Sequence, residues 1–69
     1  MEEFLKQLTG KKIDVAYGTN NIVRGDVVEI KDGILFLRDE DERDAYVVVE
    51  KITVIWEVKE PHIRPGFVV

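Results

Sequence analysis

Apolar and polar positions alternate cleanly at the start of the chain's first strand-like segment. Ile13, Val15 and Tyr17 fall on one side, Lys12, Asp14 and Ala16 on the other. This period of two predicts a half-buried strand over residues 12–17. Gly18, Thr19, Asn20 and Asn21 supply turn chemistry, and a second strand follows over residues 22–31 with Gly25 inside it. There the alternation breaks. After Gly25 the apolar residues Val27, Ile30 and Ile34 come at steps of two, three and four. A change of phase within a strand implies a strong bend, of the kind a small closed barrel requires, and a glycine fits where a side chain would obstruct that bend. Asp32-Gly33 then predicts a type I′ hairpin turn, since both central positions need positive φ, and residues 34–38 form a third strand.

Residues 39–44 are almost wholly charged and read as an exposed loop. A fourth strand is predicted over 45–49 and a fifth over 52–58, joined tightly at Glu50-Lys51. In the fifth, Ile52, Val54, Trp56 and Val58 share one face and Ile55 lies on the other; the fourth is apolar on both faces through Tyr46, Val47, Val48 and Val49. A single barrel has one inner face, so the outer apolar residues need a cover. Either the helix or the tail provides it, or the exposed strand edges form a subunit interface. At the start of the chain Phe4, Leu5 and Leu8 fall at helical spacing, with Glu2 and Glu3 early and Lys6 later, as the helix dipole favours; Gly10 is the stop. So short a helix is unstable alone and must pack on one end of the barrel. Pro61, Pro65 and Gly66 end regular structure, and residues 60–69 read as a tail closing on Phe67-Val68-Val69. The fold class is therefore mainly β: a short helix, then a five-stranded, strongly bent antiparallel sheet closed into a small barrel over residues 1–59.

Composition narrows the chemistry. A chain of 69 residues holds one small domain, which buries only about 60% of its unfolded surface and gains from oligomerisation. With no cysteine it has no disulfide or thiolate metal site, and one histidine, His62, builds no metal cluster. No apolar run approaches a membrane span, and the first residues are acidic where a signal peptide is basic, so a cytoplasmic protein is expected, with no membrane partner. The net charge of −4 opposes nucleic-acid binding over the whole surface and gives no indication of DNA binding, which leaves any RNA contact to a local patch. Catalysis has little to use: there is no serine, and Thr9, Thr19 and Thr53 have no histidine beside them. The acidic run 39–44 lacks the glycine and terminal glutamate of a calcium loop, and Trp56 shares the phase of Ile52 and Val54, which assigns it to core or interface. No enzyme activity and no cofactor are expected.

Gly25, Val27, Ile30 and the run Ile34-Leu35-Phe36-Leu37 follow the order of the first Sm motif, and the stretch resembles that of bacterial Hfq without a gap. Tyr46 followed by Ile52-Thr53-Val54-Ile55 resembles the end of the second motif. The chain is thus similar to the Sm-like family over its first four-fifths. The resemblance implies an Sm-like barrel that self-associates into a homo-oligomeric ring of roughly six or seven subunits and binds single-stranded RNA. In that family the turn after the second strand presents a base-contacting group, and the turn before the fifth adds a basic residue. The matching positions here are Lys31, Asp32, Gly33 and Lys51. The match is incomplete. Lys31 stands where the family has aspartate, Gly33 and Leu35 replace the aromatic or asparagine, and Glu50 stands beside Lys51. Lys11, Lys12 and Arg24 are further basic candidates. A second reading fits the same residues: a non-enzymatic adapter that binds protein through its fourth and fifth strands and apolar tail.

Overall fold

The computed structural model describes residues 1–59. The expected tail, with His62 and Phe67-Val68-Val69, lies outside the described residues. The elements run α1 (Glu2–Lys6), β1 (Lys12–Tyr17), β2 (Asn21–Lys31), β3 (Ile34–Arg38), β4 (Asp44–Val48), a 3-10 turn over Val49–Lys51, and β5 (Ile52–Glu57). All strand pairs are antiparallel, in the spatial order β4-β3-β2-β1-β5.

The fold turns on a corner in β2. This 11-residue strand pairs with β1 from Asn21 to Asp26, then with β3 from Asp26 to Lys31. At the change of partner Val28 is the extra residue of a bulge between Val27 and Glu29. The bulge explains the step of three between Val27 and Ile30: both side chains are buried, and Val28 points out. Gly25 sits just before the bulge, where β3 crosses close by. A Cβ there would lie 2.9 Å from the Arg38 carbonyl oxygen and 3.2 Å from the Leu37 Cβ. Backbone on the other side fastens the corner: Gly10 N–H donates to Val27 C=O at 2.8 Å, and Val27 N–H donates to Lys11 C=O at 2.9 Å. At the far end of β2, Asp32 and Gly33 have φ of 52° and 77°, the two positive values of a type I′ turn.

The concave face and α1 enclose one core. Leu5 and Leu8 from the helical region meet Ile13, Val15, Val27, Ile30, Leu35, Leu37, Val47, Val49 and Ile52, and no polar side chain is buried with them among the described residues. Phe4 does not join them; it is exposed, so the buried stripe of α1 is narrower than the spacing predicts. β5 differs from expectation too. Its register with β1 shifts between Ala16, opposite Val54, and Tyr17, opposite Ile52, which leaves Thr53 as an extra residue whose hydroxyl donates to the Ala16 carbonyl at 3.1 Å. The bulge reverses the faces after Ile52. Ile55 turns in to pack on the core, while Val54 and Trp56 turn out, with Trp56 50% exposed.

The expected closed barrel is corrected: β4 and β5 are the two edges of an open sheet and are not hydrogen-bonded to each other. The cause is the three-residue turn Val49–Lys51, which carries the chain across the end of the sheet so that β5 pairs with β1 instead of returning along β4. The outer apolar residues remain uncovered by any described segment: Tyr46 and Val48 on β4, Val54 and Trp56 on β5, Ile22 on β2. No described helix is long and apolar enough to cross a membrane.

Gly25→Ala puts a methyl into the Arg38 backbone and is expected to destabilise by about 1–3 kcal/mol, a fall of roughly 4–8 °C in Tm per kcal/mol; an unchanged melt contradicts the close approach. On the outer face Arg24 donates to both oxygens of Asp14, at 2.7 and 3.0 Å. These bonds hold the Asp14 carboxyl below its ordinary value, against a smaller opposing effect of partial burial. A depressed carboxylate stabilises the fold above its unfolded pKa and loses that contribution as pH falls through the folded value. Asp14→Asn is therefore expected to cost on the order of 0.5–1 kcal/mol at neutral pH and nothing in strong acid, measured by urea unfolding across pH; a pH-independent difference contradicts it.

Candidate nucleic-acid interface

The β2–β3 turn and the β4–β5 turn meet at one end of the sheet. Val49 N–H donates to the Gly33 carbonyl at 2.9 Å, which ties the first turn to the start of the 3-10 segment. The pairing of Ile34 with Val48 brings both turns into line. All four site residues expected from the sequence are thus carried by two turns joined backbone to backbone: Lys31, Asp32 and Gly33 on one, Lys51 on the other. Lys31, Asp32 and Lys51 are exposed, and Gly33 is half-buried.

A further neighbour of this end, Glu2, carries no signal in the local residue pattern. Leu5 is fully buried, which fixes α1 over this end of the core and brings its first turn above Gly33. The Glu2 Oε2 atom lies 3.9 Å from where a Gly33 Cβ would stand. Thirty-one positions separate the two residues, and only the packing of α1 relates them.

The charges here are mixed and open. The joined turns and the helix start beside them carry Lys31, Lys51, Glu2, Asp32 and Glu50, and none of these five makes an ion pair among the described residues. Two cations against three carboxylates leave one net negative charge per chain at the joined turns. Other basic candidates are committed elsewhere: Arg24 to Asp14, and Lys11 to Glu57 at 3.5 Å, while Lys12 stands opposite Asp26 in the β1–β2 register. Arg38 pairs with Asp44 at 2.9 Å. The acidic loop is held by Asp39, whose carboxylate accepts from the backbone N–H groups of Asp41 and Arg43, each at 2.9 Å, so its first residue is spent on local structure.

Lys51 also closes a second feature. A groove of about 320 Å³ runs along the free edge of β4, floored by residues 45–48 and walled by Tyr17, Val23 and Lys51. Residues of both faces of β4 line it, as at the open side of an edge strand. Across the β3–β4 pair Tyr46 meets Phe36 edge to face, centroids 5.0 Å apart, which fixes the tyrosine ring beside the groove. The joined turns and the open edge therefore adjoin.

No curated protein and no solved structure matches this sequence at a significant level. One family does match, described as "Domain of unknown function (DUF6897)", over residues 1–58. That span takes in every described strand together with both turns of the candidate interface, and the chain belongs to this family.

Proposed function

We propose that the chain is an Sm-like subunit that assembles head to tail into a homo-oligomeric ring and binds single-stranded RNA at its joined turns. The observation that carries the reading is the hydrogen bond from Val49 to Gly33, because it gathers Lys31, Asp32, Gly33 and Lys51 at one place beside an open strand edge. The strand order supports assembly. Among the described residues β4 and β5 are free edges at opposite ends of one bent sheet, and a free edge is a template for another strand. If β5 of one copy enters the β4 groove of the next, the unlike edges satisfy one another, and repetition around an axis closes the sheet across copies instead of within one. Tyr46 and Val48 then meet Val54 and Trp56 as cross-strand neighbours, each worth about 1 kcal/mol of apolar burial.

A ring would repeat every charge of the joined turns around its axis. Lys31 and Lys51 supply phosphate contacts, and Glu2, Asp32 and Glu50 weaken them, so the reading is of RNA bound through bases with a small backbone contribution. The exposed outer face favours a second reading, a protein adapter on the same sheet, because Ile22, Val54 and Trp56 form an uncovered apolar patch on a chain of net charge −4.

Titration of short U-rich and A-rich RNAs at two salt concentrations tests the first reading. Binding is expected at low salt. Glu50→Lys is expected to tighten it about tenfold and to steepen the salt dependence by about 0.7 in log–log slope for each added phosphate contact, while Lys51→Ala weakens it. No binding by either the natural chain or Glu50→Lys at low salt overturns the RNA reading. Protein partners that survive nuclease treatment in a native lysate would then support the adapter.

A further inference from the structure

We propose that the groove beside Trp56, on the outer face of the sheet, is a docking site for the chain's own Phe67-Val68-Val69. The inference stands apart from the RNA reading. Residues opposite one another in a ladder share a face, so the registers of β1 with β2 and β5 set two rows side by side on the outside. One row is Ile22, Ala16 and Val54; the next is Arg24, Asp14 and Trp56. A groove of about 420 Å³ lies over the second row, and Ile22, Trp56 and Val58 are its apolar lining. Its charged groups already have partners. Arg24 donates to both oxygens of Asp14, at 2.7 and 3.0 Å, and Glu57 meets Lys11 at 3.5 Å. What remains for an occupant is apolar surface, chiefly the exposed Ile22 and Trp56.

Reach and composition select the occupant. α1 does not cover this face, because Leu5 and Leu8 hold it in the core on the concave side. The chain leaves the sheet at the groove itself: Val58 N–H donates to Lys12 C=O at 2.9 Å, and Val58 is one of the groove's walls. Phe67 follows Val58 by nine positions, up to about 30 Å of extended chain. The two strand spacings from β5 across to β2 amount to about 10 Å, so the groove lies well within that reach. Pro61 and Pro65 lack the N–H that a strand added along the edge of β5 would need. Pro65-Gly66 is a turn dipeptide, which suits reversal of the apolar run back over the sheet. So short a tether holds that run at an effective concentration on the order of millimolar, which favours it over a second copy at micromolar protein. A protein partner of the outer face would then have to displace it.

Trp56 is the only tryptophan and the chain has no cysteine, so both sides of the contact can be probed in the full chain. Acrylamide quenching of Trp56 fluorescence is measured for the natural chain, Phe67→Asp and Phe67→Leu. The natural chain and Phe67→Leu are expected to emit further to the blue and to be quenched severalfold less than Phe67→Asp, at every concentration through the micromolar range. Equal quenching of the natural chain and Phe67→Asp overturns the inference. Protection that is lost on dilution does so too, since it assigns the cover to a second copy. Unfolding would also expose the indole, so a nitroxide attached at Val69→Cys gives a second reading in the folded chain. It should broaden the Trp56 indole N–H resonance, and Phe67→Asp in the same labelled chain should restore it. An indole resonance that stays sharp overturns the docking whatever the quenching shows.

Discussion

The approach of the β3 backbone to Gly25 is the constraint on which the rest of the molecule depends. A strand can exchange one partner for another only where the second partner's backbone crosses close to it, and here that distance admits no Cβ. The glycine, the Val28 bulge and the two backbone hydrogen bonds of Val27, accepted from Gly10 and donated to Lys11, all sit within four residues of one another along β2. Together they convert one long strand into two shorter ones at an angle. The concave face that results holds Val27, Ile30, Leu35 and Leu37 against Ile13 and Val15. A flat sheet of these lengths would expose that surface on a chain too small to bury it otherwise.

Everything proposed about function follows from that bend. It brings the β2–β3 turn over the start of the 3-10 segment, where Val49 bonds Gly33, and it leaves β4 and β5 facing outward at opposite edges. Among the described residues the core is satisfied and the two sheet edges are left unpaired. Two unlike free edges with exposed aromatic and aliphatic side chains suit head-to-tail association, in which each copy uses one edge as donor and the other as receiver. The joined turns lie beside the receiving edge, so assembly and ligand binding would share Lys51.

Much of this was legible in the residues. The alternation of Ile13, Val15 and Tyr17 predicts β1 as found, Asp32-Gly33 forms the turn its φ requirements predict, and the broken phase after Gly25 marks the corner. β5 misleads because Ile52, Val54, Trp56 and Val58 are apolar at a perfect period of two, and nothing local announces that Thr53 is bulged. Its register is set by β1, nearly forty residues away in sequence. Closure misleads for a similar reason: whether two edge strands meet depends on the direction in which three residues send the chain, not on the strands' own patterns. Phe4 is as apolar as Leu5, yet the surface α1 covers has room for the leucines alone. That Lys31, Asp32, Gly33 and Lys51 stand on two turns was legible because turns announce themselves by composition; their candidacy came from the Sm-like resemblance. The place of Glu2 above Gly33 was not legible, since it is a consequence of helix docking.

Pairing of unlike edges between copies would complete what the described residues of one copy leave open. Native mass by light scattering tests it most directly. Head-to-tail pairing predicts a single species of six or seven copies of the 8.0 kDa chain, stable to dilution through the micromolar range. A monomer of 8.0 kDa at micromolar concentration would contradict it.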